Sequence, residues 1–135
     1  MKVYAVFDTN ILVSALISRR PDTAVVLALE TMLSGEVIPL YNDEILQEYE
    51  EVLHREKFDL PESLVDAIIR QIKKDGIASE RIHTDETFLD PTDIVFYEVA
   101  LSKEDSFLVT GNIKHFPKNP IVVTPSEFLR LIGKL

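Results

Sequence analysis

The sequence predicts an α/β fold, a three-layer α/β/α sandwich built on a central parallel sheet. Three observations carry that expectation. Short apolar runs of strand length alternate with longer runs at helical spacing, the pattern of strands joined by helical crossovers. Polar residues stand directly after two of the strand runs, where parallel sheets open their ligand crevices. No internal repeat, low-complexity tract or linker divides the 135 residues, so one domain over 1–135 is expected.

Taken in order, residues 2–7 (KVYAVF) read as a short buried strand, and 11–17 and 23–33 as helical runs separated by the polar corner Ser18 to Asp22. Ser34 and Gly35 stop the second run. Residues 37–41 (VIPLY) read as a strand that Pro39 would suit to an edge or a bulge. Asn42 or Asp43 then caps a helix over about 43–56, with Ile45, Leu46, Tyr49, Val52 and Leu53 on one face. Leu60-Pro61-Glu62 opens the next helix, which carries Leu64, Val65, Ile68, Ile69 and Ile72 inward and ends at Gly76. A short strand is expected at 79–84. The turn Asp90-Pro91-Thr92-Asp93 opens an apolar helix to about Lys103, strands follow at 106–110 and 120–124, and a helix over 125–133 closes the chain.

Composition narrows the chemistry. There is no cysteine, so disulfides and thiolate metal sites are excluded, and the three histidines are not spaced as a zinc cluster. Any metal must be held by oxygen, which favours hard cations. With 23 acidic against 14 basic residues, the formal charge of −9 argues against coating a nucleic acid by bulk electrostatics. It leaves room for a small site in which carboxylates gather around a divalent ion. No apolar stretch reaches the roughly 20 residues of a membrane span, and the first residues do not read as a signal peptide. A cytoplasmic protein without a membrane partner is expected.

Three carboxylates stand out. Asp8 interrupts "VYAVFDTNILVSALI" between a strand and a helix, where it can cap the helix or face the crevice beyond the strand. Glu48 lies at the edge of the apolar stripe of its helix, while Glu44, Glu50 and Glu51 lie farther round on the solvated side. Its alternative is a border residue reaching to water. Asp93 opens a helix that is apolar nearly all round, so it either completes a capping box with Asp90 or points into the domain's polar crevice.

Together, "FDTN", "ILQEYEEVL", "DIVFYEVAL" and "LVTGN" followed by "IKHF" resemble the PIN-domain family of metal-dependent nucleases, most closely its small prokaryotic members related to the VapC-type toxins. The resemblance runs from Val3 to "IVVTPSEFL" and implies a Rossmann-like sheet topology. It implies that Asp8, Glu48 and Asp93 hold Mg²⁺ or Mn²⁺, with Asn112 at the fourth position of the catalytic set, where the family often has Asp. It further implies that Asn10 and Thr110 orient Asp8 and that Asp90 is a supporting acid.

The function so implied is a divalent-metal-dependent endoribonuclease, the toxin of a toxin–antitoxin pair. Its expected partners are an RNA substrate, a cognate antitoxin and a second copy of the chain in a homodimer. Arg19, Arg20, Lys114, His115 and Lys118 are the candidates for contacts with substrate phosphates, with ordinary solvated surface as the alternative reading of each. A phosphatase-like site would want a second Asp where Asn10 stands, and a receiver-type domain would want its acceptor Asp after the third strand. The alternative outside enzymes is a non-catalytic PIN-like module that binds RNA or protein.

Overall fold

A computed structural model describes residues 2–135. Among the described residues the order is β1 (Val3–Phe7), α1 (Thr9–Ile17), α2 (Ala24–Leu33), β2 (Val37–Tyr41), α3 (Asp43–Leu53), α4 (Glu62–Asp75), β3 (Ile77–Ala78), α5 (Ile94–Ala100), β4 (Ser106–Val109), β5 (Val122–Val123) and α6 (Pro125–Leu131). Short 3-10 turns sit at Glu56–Phe58, Pro91–Asp93 and Ile113–His115. The sheet runs β3-β2-β1-β4-β5 with every pairing parallel, the three-layer α/β arrangement expected from the strand and helix alternation.

β1 occupies the centre because it is the run that can be buried on both faces: Ala5, Val6 and Phe7 are almost wholly enclosed. Phe7 and Phe107 both meet Phe128 of α6 edge-on, with ring centroids 6.2 and 5.8 Å apart. Helix α2 packs against α1 and α6, whereas α3 packs against α4 and α5, and α5 lies on β1 and β4. Strand order runs outward from β1 in both directions, so the chain reverses its winding between β1 and β4. The carboxyl ends of those two strands frame the crevice of such a sheet.

Several elements differ from the sequence expectation. Pro39 stands in an inner strand, opposite Ala5, and not at an edge or bulge. Neighbouring β3 pairs only with Leu40 and Tyr41, so no ladder bond on that side is asked of Pro39. β3 is formed by Ile77 and Ala78, ahead of the expected 79–84, because Gly76 brings the chain against Pro39: a Cβ at Gly76 would lie 2.6 Å from the Pro39 carbonyl and 2.5 Å from that of Ile72. Residues 79–90 then cross the molecule without regular structure. They are tied down by Glu98, whose side chain accepts from Arg81 Nε at 2.7 Å and from the Thr84 amide at 2.8 Å. The helix expected from Asp90 begins as a 3-10 turn and becomes α5 only at Ile94. No described helix is long and apolar enough to cross a membrane.

Candidate functional site

Asp8 leaves the end of β1 with its amide donating to the Val109 carbonyl at 2.9 Å, which holds it at the junction of β1 and β4. It occupies the cap position of α1, yet its side chain makes no capping hydrogen bond. Instead its Oδ2 accepts from Thr110 Oγ1 at 2.7 Å, in a pocket that leaves only 7% of the residue exposed. The two readings of Asp8 left open by the sequence thus separate: the carboxylate is turned across to β4. Burial, and after it the neighbouring Glu48, raises its pKa above the ordinary carboxylate value, against the stabilising bond from Thr110.

Glu48 is half-buried while Asp43, Glu44, Glu50 and Glu51 are exposed. The amphipathic stripe of α3 therefore sorts the acids as the wheel predicted. Glu48 Oε2 accepts from Thr9 Oγ1 at 2.6 Å, linking α3 to the residue next to Asp8. One residue on, the buried Tyr49 hydroxyl donates to the Phe7 carbonyl at 2.5 Å and fixes α3 to the end of β1. Tyr49 was expected on the apolar face of α3, but its bond to β1 and that of Thr9 to Glu48 were not. Both follow from adjacency: the first polar residue after Asp8 and the residue after Glu48 on its stripe are the ones that can bridge β1 and α3.

Asp93 stands at the cap position of α5 and, like Asp8, makes no capping hydrogen bond. Asp90 caps the preceding turn, accepting from the Thr92 amide and hydroxyl, both at 2.9 Å, so it does structural work and leaves Asp93 free. Burial first, then the charges of Asp8 and Asp90, push the Asp93 carboxyl up to about 6. Its Oδ2 lies 3.9 Å from His115 Nδ1.

Asp8, Glu48 and Asp93, from three separate elements, thus act on one another's charge across one crevice. They do not stand as a ready-made coordination shell: among the described residues no three or more His, Cys, Asp or Glu side chains are arranged to hold an ion together. As donors they fit a hard divalent cation in kind, because the set is all oxygen, and burial with neighbouring charge raises the carboxyls of Asp8 and Asp93. The Asn10 Oδ1 atom is buried with no hydrogen-bond partner, a further oxygen left without a donor beside Asp8. The hydrogen bond that reaches the Asp8 carboxylate comes from Thr110.

The remaining candidates divide. Asn112 is reached from Asp8 through Thr110, whose Oγ1 also accepts from the Asn112 amide at 3.0 Å. Lys114, His115 and Lys118 follow it on an exposed loop beside Asp93. Arg19 and Arg20 are not brought to the acids. Helix α1 follows Asp8, and its nine residues carry the chain about 14 Å along the helix axis before them. Arg20 is further occupied by an exposed pair with Asp22 at 3.1 Å. Sequence reading also passed over Glu98, a buried acid within the apolar α5. The Thr84 amide and Arg81 outweigh its burial and hold its carboxyl below the ordinary value.

No curated protein and no solved structure matches the chain. A family model described as PIN domain matches residues 4–114. The match begins within β1 and ends in the turn after β4, and so takes in Asp8, Glu48, Asp93 and Asn112. PIN domains are usually nucleases. With 111 of its 135 residues matched, the chain belongs to the PIN-domain family.

Proposed function

We propose that the protein is a divalent-metal-dependent ribonuclease whose catalytic acids are Asp8, Glu48 and Asp93. One observation carries the reading: two acids at helix-cap positions, Asp8 and Asp93, leave the capping role unused and, with Glu48, load the crevice at the β1/β4 switch point with charge. Raised carboxyl pKa values mean that the pocket resists carrying its full negative charge unaided, which is the driving force for taking up a cation.

Asp8, Glu48 and Asp93 would hold Mg²⁺ or Mn²⁺, and when bound such an ion activates water and stabilises negative charge on phosphate oxygens. The chain's own residues do the rest. Thr110 fixes the rotamer of Asp8 by its hydrogen bond, and Thr9 does the same for Glu48. Lys114 offers positive charge, and His115 a hydrogen-bonding ring, to the phosphate of the bound strand on the side of Asp93. Asn112 presents an amide where the family often has a fourth acid, lowering the charge of the set by one and leaving a neutral polar contact.

The finer role implied by the VapC resemblance, a toxin held by an antitoxin and acting as a homodimer, is part of the proposal and rests on that resemblance. A non-catalytic RNA-binding module is the second reading, favoured by the acids not being gathered into a ligating group of three. Incubation of mixed RNA with purified protein and Mn²⁺ separates the two. Cleavage that chelation abolishes and that Asp8→Asn and Asp93→Asn each reduce by about a hundredfold or more supports the nuclease. Equal cleavage by wild type and both variants, or binding without cleavage, rejects it.

A further inference from the structure

Directly beside the acids lies a cavity of about 390 Å³ lined by Gly111, Asn112, Ile113, Lys114, His115 and Thr124. It is joined to the crevice at two points. His115 reaches 3.9 Å from Asp93, and the Asn112 amide is bonded to Thr110, which holds Asp8. Its lining contains no carboxylate. That sets it apart in a chain of formal charge −9, since four other cavities are each lined by at least one acid. The cleft on the opposite flank of Glu48, about 400 Å³, carries Glu44, Glu48 and Glu51 with Arg81, and Arg81 is already paired with Glu44 and Glu98. A polyanion crossing the acids is therefore repelled on the α3 flank and accepted on the flank of Lys114, which makes no ion pair among the described residues.

We propose that this cavity is a subsite for one unpaired nucleotide of the substrate, the one next to the phosphate that lies over the acids. This rests on the nuclease reading for its purpose but not for its test. The size is that of a small-ligand pocket, of roughly 300–1,000 Å³. Lys114 takes the phosphate, the exposed face of Ile113 and the imidazole plane of His115 meet the base, and the Asn112 side-chain amide meets its polar edge. A base can enter only if it has left the stack, which a duplex does not permit without unpairing.

Gly111 makes the cavity testable. A Cβ there would meet nothing within 4 Å, so a larger side chain fills the cavity without straining the fold. Backbone amide spectra of the metal-free protein are titrated with each of the four nucleoside 5′-monophosphates and with inorganic phosphate. The proposal expects saturable shifts at Gly111 to His115 and Thr124, and nucleotide binding about tenfold tighter than phosphate. It also expects a loss of about tenfold in Gly111→Leu and in Lys114→Glu, the latter at an exposed position. A short single-stranded RNA moves the same amides at lower concentration, and its duplex does not. No shift at these residues, phosphate binding as tight as nucleotide, unchanged affinity in both variants, or a duplex that binds as well as the strand overturns the subsite. If nucleotides bind here but Mn²⁺-dependent cleavage is absent, the subsite stands and the nuclease reading falls. If RNA is cleaved but these amides do not move, the reverse holds.

Discussion

At the scale of single residues, the site is defined by what its acids decline to do. Asp8 and Asp93 both sit where a carboxylate would ordinarily cap a helix, and both turn away, while Asn42, Asp90 and Thr124 cap in the expected manner. The cost of that choice is visible in Asp93. In the fold its carboxyl titrates at about 6 where its ordinary value is 3.8, so between these values the folded chain holds a proton that the unfolded chain has released. Stability therefore falls as pH rises through that window, and the loss is complete above it. Asp93→Asn removes the loss. In chelator, well above the window, the variant is expected to be more stable than wild type by about 1 kcal/mol, allowing for the carboxyl's partial access to solvent. The difference closes below the window, and urea melts at the two extremes read it. Equal stability at high pH would show that Asp93 is not strained by its neighbours. Asp8, Glu48 and Asp93 were legible in the sequence because each breaks an apolar pattern at an element's start or border. The roles of Thr9, Tyr49 and Glu98 were not, because they depend on which element packs beside them.

At the scale of elements, short strands and irregular segments position the site as much as the regular ones do. β1 and α3 were readable from run length and from the 3.6-residue stripe, and their packing brings Glu48 to Asp8 through Thr9. The two-residue β3 was not readable, since Ile77 and Ala78 have no pattern of their own and pair only because Gly76 delivers them beside Leu40. The crossing segment 79–90 was also hidden. Its anchors are Glu98 on α5 and an aromatic chain in which Phe88 lies 5.5 Å from Tyr97 and 6.2 Å from Phe116, contacts between residues distant in sequence. This segment leads into Asp90 and Asp93, and Phe116 ends the loop of Lys114 and His115, so one cluster supports both flanks of the crevice. Gly76 is the most exacting position among these connections. Gly76→Ala sets a methyl group against two backbone carbonyls that cannot rotate away. It is expected to destabilise the chain by about 2 kcal/mol, read as a lower urea midpoint with unchanged slope. A midpoint equal to that of wild type would mean that the α4 to β3 turn relaxes freely.

At the scale of the whole molecule, the charge is arranged to serve a small acidic centre within a chain that is acidic overall. A net charge of −9 does not draw a polyanion, so on the proposed reading attraction is local, and Lys114 on the loop beside Asp93 is the candidate to supply it. The parallel sheet with its switch between β1 and β4 is what lets acids from residues 8, 48 and 93 share one crevice, since each element delivers its side chain to the same edge. The central claim is that these three acids form one divalent-cation site. Calorimetric titration of Mn²⁺ into the chelator-treated protein tests it most directly, because binding is read without substrate or turnover. Wild type is expected to bind about one ion per chain, and Asp8→Asn to weaken that binding by about tenfold or more. The same isotherm for wild type and Asp8→Asn, or no heat of binding in wild type, would contradict the claim.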